Sequence, residues 1–507
     1  VASCDSVAGD VQKVAKGAGL ALLGNAVGKG LFFVSQVMAA RILGVEAFGL
    51  FSLGLATIKV TEILSRLGLH AGGMRFIAIY KNTEKAKVKG FFISATIITI
   101  LTGITLGIVI YAFSSELAGR IFHRSDLRDT LRLFALSTPF VAGMTVVTSL
   151  MQGSQNLKYT VLTRDFLQPI GFTLCLCIST VFEEPLRVVL YGFLGSHAFA
   201  FLIGLFLSTK LFPELRDGSV RARYEVGALL RYSAPLLFLG FVQCLLGWND
   251  TLMLGALGSV EQVAIYRAAS QIPLAMTVFL LASNSIYAPV AAELYARREL
   301  ARLNRVFKTT TRWITYASVP TFVYILMTSD PIMCLFGKEY GRSGVPVLVT
   351  LSLGQLINCI TGGVGYTLTM SGKQNVQLAN TIVMLAISAG LNIVLIPKLG
   401  PLGAAVSQAI ALGMVNLISL YEVYDLHRLF PYEWRLVLLG IPVAVSVLTL
   451  ILANRLELGE TIQAGVNLGC VVLPFSIHIV LTANDEDKFL LRLFMRSILA
   501  RGRKGAD

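Results

Sequence analysis

Fourteen apolar runs, a lopsided placement of lysine and arginine, and a repeat at a spacing of 214 to 219 residues predict an all-α integral membrane protein. Its expected plan is two pseudo-symmetric six-helix lobes followed by two C-terminal helices. Apolar residues make up 55% of the 507 and charged residues 14%, with a mean hydropathy of +0.71. A soluble chain of this length would struggle to stay in solution with that balance. Each run has about the 20 residues that a helix needs to cross a bilayer core.

The runs can be taken in order. Spans 1 to 6 cover 17–39, 47–67, 90–112, 132–151, 160–181 and 189–209. Span 1 is too long for a secretory signal and carries Lys29 in its middle, so "VMAA" at 37–40 is not read as a cleavage site. Spans 7 to 12 cover 232–257, 266–290, 312–329, 345–368, 376–396 and 402–424, with Pro235 and Pro273 placed to kink spans 7 and 8. Spans 13 and 14 cover 436–453 and 461–482; their deep residues are almost wholly Val, Leu and Ile, which predicts a peripheral place. The expected division is therefore 1–215, 216–430, and 431–507 for the last two helices and a basic tail. Gly24-x-x-x-Gly28 and Gly103-x-x-x-Gly107 offer close-packing faces.

Orientation follows from charge. With residue 1 in the cytosol, the inner side holds 29 Lys and Arg and the outer loops hold 9, so both termini are expected on the cytosolic side of the cell membrane. The net charge of +14 then reflects contact with anionic inner-leaflet lipid and not with nucleic acid.

The repeat is visible in three places. "MQGSQN" (151–156) returns as "MSGKQN" (370–375), each where an even-numbered span reaches the cytosol. "LGVEAFGLFS" (43–52), the outer hairpin after span 1, returns as "LGSVEQVAIYRA" (257–268) after span 7. Ile121-Phe122 matches Leu335-Phe336 more weakly. Six spans per copy is an even number, so the copies begin on the same side and are related by an axis along the membrane normal, with a substrate site expected between them.

The segment "MSGKQNVQLANTIVMLAISAGLNIVLIPKLGPLGAAVSQAIA" (370–411) resembles the helix 11–12 signature of the polysaccharide-transporter, or oligosaccharide flippase, family of the multidrug/oligosaccharidyl-lipid/polysaccharide superfamily. "PIMCLFGKEYGRSG" (331–344) and "ARILGVEAFGLFSLG" (40–54) are similar to the same family, and the likeness spans 10–482. The resemblance implies an O-antigen-type flippase. These motifs specify fold better than cargo.

Catalysis finds no support. The seven cysteines are scattered without a C-x-x-C pair, the five histidines lie far apart, and there is no phosphate loop or nucleophile elbow. No metal or cofactor is expected, although a coupling ion, Na+ or H+, stays open. Charges inside spans are costly and call for an aqueous cavity, a partner or a task. Span 1 carries Asn25, Lys29 and Gln36 on one helical face, and span 2 carries Lys59, Glu62 and Arg66 on one stripe. Asp250 lies deep in span 7 beside Trp248 and Asn249, and Arg267 sits at the outer end of span 8.

Lys29, Lys59, Arg66, Asn25, Gln36 and Arg267 are the candidate substrate-binding residues; Asp250 and Glu62 are candidates for counter-charge or coupling. Alternatives stand beside these roles. Lys29 either lines an anion-binding cavity or forms a salt bridge to Asp250 or Glu62. Glu62 reads as an intrahelical ion pair with its flanking cations, Arg66 as a snorkelling group, and Arg267 as an interfacial anchor. Asp250 is a counter-ion or the coupling carboxylate.

Three functions compete. A flippase for a polyprenyl-pyrophosphate-linked oligosaccharide wants Lys and Arg for the diphosphate and Asn and Gln for sugar hydroxyls. A cation-coupled multidrug exporter of the same superfamily wants an acidic cavity and typically twelve helices. A polysaccharide polymerase or ligase wants a long outer loop, and 112–131 is short for that. A lipid-linked peptidoglycan-precursor flippase is a fourth reading. The flippase reading implies a lipid-linked oligosaccharide and membrane lipid as partners, and a glycan polymerase or glycosyltransferases of the same pathway as neighbours.

Overall fold

The computed structural model describes residues 2–456 and 460–482, with side chains described throughout except for 2–23, 25, 26, 435, 456, 460, 461 and 464. The basic tail therefore lies outside the described residues. In chain order the long helices are α1 (Ala2–Arg66), α2 (Leu69–Tyr80), α3 (Lys85–Ala112), α4 (Leu127–Gly153), α5 (Lys158–Ser179), α6 (Pro185–Leu211), α7 (Val226–Leu257), α8 (Val260–Gln271), α9 (Leu274–Ala296) and α10 (Leu300–Met327). They continue as α11 (Lys338–Ile360), α12 (Val364–Met370), α13 (Gln374–Leu399), α14 (Pro401–His427), α15 (Gly440–Ala453) and α16 (Glu460–Thr482). No strand occurs among the described residues. A bilayer supplies no water to open backbone groups, so a chain this apolar closes its hydrogen bonds within helices.

Twelve helices among the described residues are long and apolar enough to cross a membrane. Two local features account for the fourteen read from the sequence. Spans 1 and 2 fall within α1, whose helical backbone is broken at Gly44 (φ 71°, ψ −179°). An unbroken helix over the 40 residues from Val27 to Arg66 would be about 60 Å long, twice a hydrocarbon core, so Gly44 must redirect the chain. Only glycine adopts that backbone readily, and it reduces the expected hairpin to one residue. Span 9 is α10, long enough to cross at 28 residues but carrying Arg302, Arg305, Lys308 and Arg312 in its first half.

Packing divides the chain into two units. The first comprises 1–271, 333–348 and 381–411. Its core includes Leu69, Ile77, Phe91, Val146, Leu150 and Leu229, where α2, α3, α4 and the start of α7 meet. Both glycine pairs foreseen as close-packing faces are used. A Cβ at Gly103 would sit 2.8 Å from the Cα of Pro139, and one at Gly28 would sit 2.9 Å from the Cβ of Asp165, so α3 packs on α4 and α1 packs on α5 without intervening side chains.

Gly68, between α1 and α2, has φ 74° and abuts the Ser233 carbonyl. Gly68→Ala should cost about 2 kcal/mol or more through the left-handed backbone and the steric conflict together. A lowered thermal midpoint in detergent checks this, and an unchanged midpoint would refute it.

The second unit comprises 272–332, 349–380 and 412–507. Tyr287, Leu303, Phe307, Val364, Leu368 and Val423 join α9, α10, α12 and α14. Tyr316 and Val323 of α10 pack with Leu450 of α15 and with Val471 and Phe475 of α16. Arg312, counted with the inner side in the sequence, is buried within α10 and donates to Glu433 at 2.8 Å. The last two helices thus share an apolar seam with α10, and the Arg312–Glu433 pair ties α10 to the segment just before α15.

Candidate binding site in the first unit

The segment of α1 after Gly44 carries the first charged cluster. Lys59 Nζ lies 2.9 Å from Glu62 Oε2 and Arg66 Nε lies 3.7 Å from Glu62 Oε1. Thr145 of α4 donates to Glu62 Oε1 at 2.8 Å. Side-chain exposure is 36% for Lys59, 12% for Arg66 and 5% for Glu62. One buried carboxylate therefore serves two cations, the intrahelical pairing expected of it, and the cluster keeps one net positive charge. Arg66 Nε has no hydrogen-bond partner within the described structure.

On the first segment of α1, Lys29 is exposed and forms no ion pair among the described residues. The alternative bridges from Lys29 are not made. Glu62 is occupied by Lys59 and Arg66, and Asp250 by neutral donors. Gln36 is buried at 2% exposure, and the Asn25 side chain lies outside the described residues.

Asp250 is the centre of a second, polar cluster. At 5% exposure on α7 it accepts hydrogen bonds from the Tyr266 hydroxyl of α8 at 2.7 Å, and from Asn392 Nδ2 at 2.7 Å and Ser388 Oγ at 3.1 Å, both on α13. Asn249 Nδ2 donates to Ser388 Oγ at 3.3 Å. Asn392 is fully buried and its Oδ1 lacks a partner. No Lys or Arg pairs with Asp250 among the described residues. Arg267 lies over the Trp248 ring, 4.2 Å from its centroid, so that tryptophan is a cation–π platform as well as packing.

Close to the Gly44 break, Arg124 reaches Glu46 at 3.6 Å and Glu261 at 3.1 Å. These glutamates occupy matching places in the two copies of the "LG…VE" hairpin. Glu261 is held below the usual carboxylate range, chiefly by a hydrogen bond from Ser259, with Arg124 adding to it. Arg41 Nε donates to the Leu335 carbonyl at 2.6 Å beside this clasp.

Sequence reasoning missed Thr145, Tyr266, Ser388 and Asn392. Thr145 has no helical-face signal of its own. Ser388 and Asn392 did carry one, being polar, one turn apart and inside an otherwise apolar span. It also missed Arg164 and Asp165. Arg164 was counted with an inner loop, yet it lies inside α5, forked onto Asp165 at 2.8 and 3.2 Å.

Residues 14–295, more than half of the chain, match the family model described as "Polysaccharide biosynthesis protein". The chain belongs to the polysaccharide biosynthesis protein family. A second model, MatE, matches residues 235–397. Among characterised relatives, a probable low-salt glycan biosynthesis flippase, Agl15, of Haloferax volcanii is 22% identical over 78% of this chain and 80% of its own. Stage V sporulation protein B of Bacillus subtilis is 21% identical over 93% of this chain and 95% of its own. Among solved structures, the lipid II flippase MurJ in an inward closed conformation superposes with a TM-score of 0.70 at 14% identity, covering 90% of this chain and 98% of that one. An inward-facing multidrug resistance MATE transporter gives 0.69 at 14% identity, over 79% and 94%. The polysaccharide biosynthesis family thus supplies a multi-pass transporter fold of the same superfamily that the sequence motifs resemble.

Proposed function

We propose that this protein flips a polyprenyl-diphosphate-linked oligosaccharide from the inner to the outer leaflet of the cytoplasmic membrane for polysaccharide or glycoconjugate synthesis. The reading is carried by one observation: of three cations of α1 inside the membrane spans, Lys59 and Arg66 share one buried carboxylate, Glu62, and Lys29 has no ion pair among the described residues. Such excess positive charge inside membrane spans is costly unless an anion uses it. A diphosphate diester is dianionic, and charge-assisted hydrogen bonds from Lys and Arg suit its oxygens. The name of the Haloferax relative, a probable low-salt glycan biosynthesis flippase, supports flipping in glycan synthesis.

In this proposal the repeat copies 1–215 and 216–430 exchange inward and outward access, the headgroup entering from the cytosolic leaflet while the prenyl tail stays in lipid. Helices in 431–507 are an addition to that machinery. Asp250, buried without a basic partner among the described residues, calls for a compensating proton or metal cation, and we propose that the coupling ion, H+ or Na+, binds at that carboxylate. Arg267 and Gln36 contribute further polar contacts to the oligosaccharide. A polymerase and glycosyltransferases acting on the same lipid-linked glycan are the natural partners.

The decisive test is reconstitution: purified protein in phosphatidylcholine vesicles should translocate a lipid-diphosphate oligosaccharide, and absence of translocation under either an H+ or a Na+ gradient would reject the reading. Both termini and the even-numbered turns belong in the cytosol here. In a cysteine-free background, single cysteines at Ser154 and Lys373 should resist impermeant thiol reagents added outside, and one at Lys338 should react; outside labelling of both inner positions would overturn this topology.

A second reading, a cation-coupled drug exporter, is favoured by the MatE match over 235–397 together with buried Asp250, which has no basic partner among the described residues. It predicts export of cationic dyes, which the flippase reading does not.

A further inference from the structure

Arg267 of α8 is a cation without an anion. It is half-buried, with its guanidinium carbon 4.2 Å from the centroid of the Trp248 ring of α7. Its side chain makes no hydrogen bond and no ion pair among the described residues, and none of its nitrogens is sealed in the interior. Asp250, two residues after Trp248, is held by Tyr266, Asn392 and Ser388 instead. A cation–π contact offsets only part of the cost of a charge within a membrane span.

Anchoring at the membrane interface does not account for this placement. An anchor would lie open in the headgroup layer, whereas Arg267 is folded onto a neighbouring helix, between buried Tyr266 and Ala268. Nor does the repeated scaffold require it. At the offset of 215 that aligns Glu46 with Glu261, Arg267 falls on Ser52 and Trp248 on Phe33. Ser52 is buried and Phe33 meets Phe336 edge to face, so the first copy packs the same places without a cation.

The surroundings suit a ligand. The ring contact uses the charge of Arg267 and not its five N–H groups, whose fork fits a planar carboxylate. Gln271, one turn along the same stripe of α8, is also half-buried and makes no side-chain hydrogen bond among the described residues. A Cβ at Gly247, next to Trp248, would meet nothing within 4 Å, which leaves open space beside the ring.

We propose that Arg267, set on Trp248, is a carboxylate subsite for the glycan, so that the cargo is an acidic oligosaccharide. This rests on the flippase reading, in which the diphosphate belongs to the cations of α1. A further unpaired cation then calls for an anion on the part of the cargo that remains. One guanidinium matches one negative charge: the two oxygens of a uronate take the fork, and the Gln271 amide meets an adjoining hydroxyl.

The experiment measures binding to the purified full chain in phosphatidylcholine nanodiscs of two probes. Both are short polyprenyl diphosphates bearing N-acetylglucosamine, followed in one by glucuronate and in the other by glucose. Wild type should bind the acidic lipid about tenfold more tightly, or ~1.4 kcal/mol. Arg267→Gln should bring the two within about twofold of each other. Arg267→Lys keeps the charge and loses the fork, so a ratio of about threefold to fivefold is expected; it carries the test if a lowered thermal midpoint shows that the glutamine variant is misfolded.

Equal binding of the two lipids by wild type overturns the carboxylate subsite and leaves the flippase reading in place. So does an undiminished tenfold ratio in the folded variants, which puts the preference elsewhere in the protein. Wild-type protein that binds neither lipid overturns the flippase reading and the subsite with it.

Discussion

Lys29→Gln should slow translocation of a lipid-diphosphate oligosaccharide by about tenfold to a hundredfold at unchanged membrane abundance. The expectation comes from its surroundings. Lys29 is exposed and unpaired among the described residues, so neutralising it strands no buried carboxylate, and stability should change by no more than about 0.5 kcal/mol. Lys59→Gln differs, because Lys59 is the nearer partner of buried Glu62 at 2.9 Å. Arg66 at 3.7 Å and Thr145 at 2.8 Å then remain to hold that carboxylate, and some loss of thermal stability should accompany the slower flipping. Reconstituted transport and surface glycan are the measurements. Wild-type rates in both variants would remove these lysines from the diphosphate site, whereas loss in Lys29→Gln rescued by Asp250→Asn would mean that the two residues pair during the cycle.

How much of this was legible follows from which signals are local. Helix number, length and order come from hydropathy and need no partner, so the spans appear where the apolar runs are. Gly103-x-x-x-Gly107 and Gly24-x-x-x-Gly28 were readable as contact faces, but their opposites, Pro139 and Asp165, were not. The Lys59, Glu62, Arg66 stripe was readable because its members share one helix and i, i+3, i+7 spacing fixes their face. The Asp250 cage was not, since it draws on α7, α8 and α13. A helical period says nothing about which distant helix supplies Tyr266 or Asn392. Arg164 was lost for a different reason. Lying six residues into α5, it looks like the end of a basic loop, and only the π-helical stretch Val161–Leu167 reveals that its neighbour Asp165 faces α1.

Asp250→Asn should leave a folded protein whose gradient-driven transport falls by about a hundredfold or more. The geometry separates these effects. An asparagine at 250 keeps one acceptor, which can still receive Asn392 Nδ2, now at 2.7 Å. Its amide nitrogen, at the Oδ2 place, would face the Tyr266 hydroxyl, and a hydroxyl can rotate to accept as well as donate. The cage can therefore re-form around the amide, at a cost of about 1 kcal/mol. What it cannot do is take up and release a proton, or hold a cation against a negative charge. Asp250→Ala removes all three contacts and should cost about 1–3 kcal/mol in addition to losing transport. The informative comparison is between driven and exchange transport in Asp250→Asn. If Asp250 couples an ion to the cycle, lipid exchange without a gradient persists while accumulation against a gradient is abolished. Equal loss of both modes at normal stability would assign Asp250 to the substrate path instead, and undiminished driven transport would place the coupling ion elsewhere in the protein.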